Sequence, residues 1–209
     1  MKLKFLIIHC TATPENREVS SKDIYNWHIN GRGWNQVGYS ELIQLDGKLI
    51  TLVDYNDDDN VDSWEITNGV RGKNAISRSI VYSGGCDKNM KAKDTRTEAQ
   101  KKTMEMYIKA HLTIHPNLLV AGHNQFSSKS CPSFCTIQYL RSINVQEKNI
   151  YKKLPFRNKA EGNAFRLWVN NYYSDYAKSI DLDKQGSYKN EFIFKAYQKL
   201  AKEYNEKNK

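Results

Sequence analysis

Two short apolar runs end in histidine, and they constrain the fold more than any other feature of the chain: KFLIIH closes on His9 and LLVAGH closes on His123. Each reads as a short strand that hands a candidate ligand to its end or to the loop just beyond. Cys131 follows in the second segment, AGHNQFSSKSCPSF, eight positions after His123. Two imidazoles and a thiolate are three borderline-soft donors, the set that leaves a zinc ion one open position for water. An open position of that kind suggests hydrolysis. Lys129, two positions before Cys131, adds a fixed positive charge, and Tyr39, at the start of the alternation YSELIQL, adds a phenol that can donate or accept a proton.

The pattern around these residues alternates between strand and helix. Lys2 to Cys10 is an apolar strand followed by the turn-forming Thr-Ala-Thr-Pro. Ser20 to Asp23 resembles a capping box, and Ile24, Trp27 and His28 recur at helical spacing before Gly31 and Gly33 stop the helix. Residues 39–45 and 48–53 predict a hairpin about Asp46-Gly47. Ser77 to Tyr82 is a further strand, Thr97 to His115 a long helix, Leu118 to Ala121 a strand leading to His123, and Thr136 to Ser142 a short helix. This order predicts an α/β domain over residues 1–144, with a mixed central β-sheet flanked by helices. Beyond it we expect a linker over 145–157 and a small basic helical module over 158–209, whose aromatics (Phe165, Trp168, Tyr172, Phe192, Tyr197) suit two packed helices.

Charge sets the partners. Residues 145–209 hold 14 Lys+Arg against 8 Asp+Glu, whereas the first 144 hold 18 against 15, so most of the net charge of +9 lies in the last third. A basic tail favours a polyanion, and an anionic cell-wall polymer, nucleic acid and a membrane surface are the candidates. No run approaches the roughly 18 apolar residues of a membrane span, and no cleavage site follows the short apolar core at residues 5–8, so neither membrane insertion nor an N-terminal signal peptide is expected. Four cysteines, Cys10, Cys86, Cys131 and Cys135, are few for this length and read as reduced thiols.

Rival sites are weaker. His111 and His115 have the i, i+4 spacing of a helical zinc pair, but Leu112 stands where the protease motif needs glutamate. Cys131 and Cys135 form a CxxxC interrupted by Pro132, and Cys10 faces away from His9 if both lie on one strand. Asp181 to Gly186 imitates the start of a calcium loop whose twelfth position is Phe192, which cannot coordinate.

With these residues in hand, positions 3–143 resemble the zinc-dependent N-acetylmuramoyl-L-alanine amidases, a family that includes amidase-type phage lysozymes and peptidoglycan recognition proteins. The matching segments are IIHCTAT, YNWHINGRGW, VGYSELIQLDG, RGKN with SIVYSGG, RTEAQ and GHNQFSSKSCPSF, in that order. The resemblance implies that His9, His123 and Cys131 bind Zn²⁺ and that Tyr39 and Lys129 stand beside the reacting carbonyl. It implies cleavage of the amide between the lactyl group of N-acetylmuramic acid and the L-alanine of the peptidoglycan stem peptide. Trp34, Asn35 and Asn74 are the candidate substrate contacts. Two positions depart from the family pattern: Asn68 to Arg71 lack a histidine that many relatives carry there, and Ser40 replaces a histidine after the tyrosine. The expected setting is an endolysin made in the cytoplasm and released to act on the wall. A non-catalytic peptidoglycan-recognition module is the alternative, disfavoured by the presence of Cys131, and nucleic acid is the less favoured partner of the tail.

Overall fold

The computed structural model describes residues 1–152; the module expected over 158–209 and the end of the linker lie outside the described residues. Strand β1 (Phe5–Cys10) is buried along its whole length and forms the second-to-last strand of a five-stranded sheet. Its neighbours are β5 (Ser77–Tyr82) and β7 (Leu119–Gly122), both parallel to it. Strand β3 (Glu41–Ile43) runs parallel to β5, and the edge strand β4 (Leu49–Thr51) pairs antiparallel with β3, giving the order β4-β3-β5-β1-β7. The sheet is therefore mixed, as the sequence predicts. Gly47, at φ 86°, supplies the left-handed residue of the β3–β4 turn. A second sheet of two short strands, β2 (Thr13–Pro14) and β6 (Gly85–Cys86), is too brief to leave a periodic signal.

Alternation along β1 and β5 assigns the faces. Val81 pairs with His9 and joins Leu42, Val19, Val37 and Ile24 of helix α1 (Ser21–Tyr25) in one apolar cluster. On this face also lie Phe5 and Ile7, packed with Val70. Helix α2 (Glu98–Ile114) covers the other face, where Arg78 of β5 reaches His115 just past the helix end at 3.2 Å. Helix α1 starts on the capping box that its sequence predicts, Ser20 with Asp23, and α2 starts on a second one, Thr97 with Gln100. Helix α1 passes directly into a π-helical turn at Asn26–Asn30, which carries Trp27 and His28. Helix α3 (Thr136–Ser142) packs on β7.

Residues 145–152, the first part of the segment read as a linker, belong structurally to this unit. Val145, Asn149 and Ile150 are buried, and Tyr151 donates its backbone N–H to Val120 at 3.0 Å. The Asn149 carboxamide donates to the Pro116 and Leu118 carbonyls, each at 2.9 Å. A Phe5, Phe126 and Tyr151 ring cluster closes the edge of the sheet.

Candidate metal centre

Parallel pairing explains how ligands remote in sequence converge. Ile8 is in register with Gly122, so His9 near the end of β1 and His123 just past β7 leave the same edge of the sheet side by side, their rings 4.7 Å apart. This is the carboxyl-end location at which α/β sheets place ligands. Cys131 enters from the loop after the short 3₁₀ turn His123–Gln125, with the loop fastened by Asn124 N–H to the Cys131 carbonyl at 2.7 Å. One ligand atom from each of the three lies within 4.8 Å of the others, and this is the one group of three or more such donors among the described residues.

The donor set fits zinc. His9 Nδ1 stands 3.8 Å from Cys131 Sγ, close to the ~3.5 Å edge of a tetrahedron with bonds of about 2.0–2.3 Å. Burial, then the neighbouring His123, Lys129 and His28, holds His9 well below the ordinary imidazole value, and burial followed by Lys129 lowers His123 to about 4. Both rings are therefore neutral near pH 7, the form that ligates a metal. Burial pushes the Cys131 thiol up, so the sulfur keeps its proton until a cation displaces it. The Cys10 backbone N–H donates to Cys131 Sγ at 3.2 Å and directs the sulfur toward the histidines. The Cys10 thiol is buried beside that of Cys131 and against Ser133 Oγ at 3.6 Å.

Tyr39 and Lys129 flank the centre. The Tyr39 ring lies 5.0 Å from that of His9, and burial with the adjacent thiols raises its hydroxyl, keeping it a neutral donor. Lys129 is exposed in the loop before Cys131, near enough for its charge to act on all three ligands. Where relatives are expected to carry a histidine, Gly69 instead brings bare backbone against His9, and Ser40 is buried with its hydroxyl accepting from Ser79 N–H at 3.4 Å. His9 Nε2 is buried with no hydrogen-bond partner among the described residues.

The remaining candidates occupy the margins. Trp34 is half-buried, stacked on His28 at 4.9 Å with the Arg32 guanidinium 5.3 Å over its ring. Asn35 is exposed and accepts from Asn68 at 3.3 Å, whereas the Asn74 carboxamide oxygen accepts Val70 N–H at 2.8 Å and shapes the loop. A cavity of about 340 Å³ opens beside Tyr39, walled by Thr11, Thr13, Trp27, His28 and Arg32. Sequence reasoning missed this wall: His28 registered as helical periodicity and Arg32 as part of a glycine stop. The rival pair is occupied by the fold, since His115 contacts Asp59 at 2.8 Å and Arg78 at 3.2 Å, and His111 Nδ1 lies 3.0 Å from the Tyr107 carbonyl.

A mixed α/β sheet that presents two neutral imidazoles at adjacent strand ends and a thiol from the loop that follows, with a lysine and a phenol beside them, brings together three donors that could hold one metal ion. Residues 1–134, which include all five of those side chains, match the family described as N-acetylmuramoyl-L-alanine amidase, and the chain belongs to that family. It is 30% identical to the endolysin of Enterobacteria phage K11 over 127 residues, 61% of this chain and 78% of that protein. Its fold is similar to that of an endolysin from a Thermus scotoductus bacteriophage (TM-score 0.55, 20% identity, 70% of this chain and 87% of that one). Bumblebee PGRP-SA shares it too, at TM-score 0.54 and 19% identity over 73% and 86% of the two chains. So does the N-acetylmuramoyl-L-alanine amidase LysC of Clostridium intestinale, at TM-score 0.53 and 17% identity over 69% and 87%.

Proposed function

We propose that the protein is a zinc-dependent N-acetylmuramoyl-L-alanine amidase that acts as an endolysin on peptidoglycan. The observation that carries this reading is the convergence of His9, His123 and Cys131 within 4.8 Å, inside a chain of the amidase family. His9, His123 and Cys131 would hold the zinc ion, which would supply Lewis acidity and bring the pKa of water toward about 7. Lys129, exposed and close enough for its charge to act on the ligands, neutralises the oxyanion that develops on the lactyl carbonyl. Tyr39, kept protonated by its surroundings, donates its O–H to the attacking oxygen or to the leaving alanine nitrogen. The neutral rings of His9 and His123 hold their geometry without competing for that proton.

The recognition-module alternative is separated from this by chemistry. Cys131→Ser should lose stoichiometric zinc and lytic activity together, while Lys129→Met keeps zinc and loses about 10²–10³-fold in kcat. Incubation with purified peptidoglycan should release new L-alanine amino termini; new reducing ends, or full activity in metal-free protein, would overturn the reading. The excess of 14 Lys+Arg over 8 Asp+Glu in residues 145–209 supports a second proposal, attraction of this tail to an anionic wall polymer. As an endolysin, the protein would be made in the cytoplasm and reach the wall on release.

A further inference from the structure

Cys131 has a second thiol within reach. Cys10 ends β1, one residue after His9, and its thiol is buried in hydrogen-bonding contact with that of Cys131. The backbone is close as well, since Cys131 Sγ lies 3.2 Å from the Cys10 nitrogen and 3.8 Å from the Cys10 carbonyl oxygen. Sulfur held that near to both backbone atoms of one residue places the two Cα atoms within the ~7 Å that a disulfide bridges. Gly85 faces the Cys10 sulfur with bare backbone, where a Cβ would collide with it, and Ser133 Oγ stands 3.6 Å away on the same sulfur. Both thiols are free. They differ in access: Cys10 is 3% exposed, whereas Cys131 is partly exposed in its loop. An accessible thiol backed by a buried one is the arrangement of an attacking and a resolving cysteine.

We propose that Cys10 and Cys131 form a redox switch: oxidation joins them in a disulfide, and the candidate metal centre loses its one sulfur donor. The oxidant is a hydroperoxide. The Cys131 sulfur attacks one peroxide oxygen, the O–O bond breaks, and Cys131 becomes a sulfenic acid as the first water (or alcohol) leaves. The Cys10 sulfur then attacks the Cys131 sulfur, so that the S–S bond forms, the S–O bond breaks, and the Cys10 proton departs with the hydroxyl as water. With hydrogen peroxide, two thiols and one peroxide become one disulfide and two waters. Cys131 in a disulfide has no thiolate to offer a cation, and His9 and His123 are left as two donors where three converged. A small dithiol restores both cysteines by exchange. The device keeps the protein competent under reducing conditions and silences it under oxidising ones. Its consequence for zinc rests on the amidase reading; the disulfide itself follows from the two thiols alone.

The test exposes the zinc-loaded full chain to hydrogen peroxide and follows thiol content, zinc released to a colorimetric chelator, and cross-linked peptides by mass spectrometry. Wild type should lose two of its four thiols, yield a peptide pair joined through Cys10 and Cys131, release its zinc, and recover both thiols and metal with dithiothreitol and added zinc. Cys10→Ala and Cys10→Ser should not recover, because without a resolving thiol Cys131 proceeds to the sulfinic acid. A variant with Cys86→Ala and Cys135→Ala leaves the pair untouched and should form the same cross-link, which keeps the test decisive if the Cys10 variants fold poorly. Four intact thiols after peroxide, a disulfide through Cys86 or Cys135, or recovery of the Cys10 variants equal to wild type would overturn the switch. The metal-free full chain separates this from the amidase reading. Cleavage of peptidoglycan by zinc-loaded protein without any Cys10–Cys131 cross-link strikes the switch alone, whereas a cross-link in a chain that never binds zinc supports the disulfide and strikes the zinc reading.

Discussion

Gly69 shows how one missing side chain can make room for a candidate metal ligand. A Cβ at this position would stand 2.6 Å from Ser79 Oγ, 2.7 Å from the Gly38 carbonyl and 3.3 Å from His9 Nε2. The Gly38 carbonyl belongs to the backbone immediately before Tyr39 and cannot turn aside as a side-chain tip can. Gly69→Ala should therefore displace His9 and Tyr39 together, weakening zinc at least tenfold and costing about 1–3 kcal/mol of stability. Competition with a chelator and chemical denaturation measure the two effects, and an alanine variant with wild-type zinc affinity would show that the loop yields freely. In sequence, this position is one glycine in a turn-rich stretch. Its role exists only because the loop folds back over β1.

Among the elements, α2 carries two residues whose work is invisible in its helical pattern. Gln100 closes the capping box by accepting Thr97 N–H at 3.0 Å, and its side chain also donates to the Ile43 carbonyl at 3.2 Å and the Ser83 carbonyl at 3.0 Å. It thus ties the start of the helix to the ends of β3 and β5. Gln100→Ala would leave the Ser83 carbonyl buried without its donor and the Ile43 carbonyl with the Ser83 N–H alone, and cost about 1–2 kcal/mol in a denaturant titration. Gln100→Glu keeps the cap acceptor but not the donors, and should fall at least as far. His111, one turn before the helix ends, is buried against Tyr107, and that burial lowers its pKa to about 4. The unfolded chain takes up this proton near pH 6.5. Stability from His111 is thus fully present above pH 6.5 and lost as pH falls toward 4, on the order of 2–3 kcal/mol. Unfolding free energies of wild type and His111→Gln across that interval should converge as pH drops; parallel curves would remove His111 from the account. The capping box and the length of α2 were legible in SSKD and RTEAQ, because caps and periodicity are local signals. The tie from Gln100 to two strands was not, since it depends on which strands lie beneath the helix.

For the whole molecule, packing against the sheet continues past residue 144 through the last of the described residues, 152. Truncation after 144 would strip the Ile150 bridge to Val120, the Asn149 contacts and the Tyr151 ring from the β7 edge. A 1–144 fragment should be less stable than 1–152 by about 3 kcal/mol or more, while 1–152 unfolds at the same denaturant midpoint as the corresponding transition of the full chain. Equal midpoints for the two fragments would restore the earlier boundary. No helix among the described residues is long and apolar enough to cross a membrane.

By itself, the sequence singled out His9, His123 and Cys131 as candidate donors, and signalled the hairpin at Asp46-Gly47, the capping box of α1, the length of α2 and a mixed α/β sheet. These rest on side-chain chemistry and on periods of a few residues, which a linear chain displays. The tertiary structure alone decided that β1 and β7 are parallel neighbours, and so that His9 meets His123. It also decided that Gly69 abuts His9, and that His28 and Arg32 wall a cavity beside Tyr39. Strand order and loop return bring together residues far apart in sequence, and no local pattern records that adjacency.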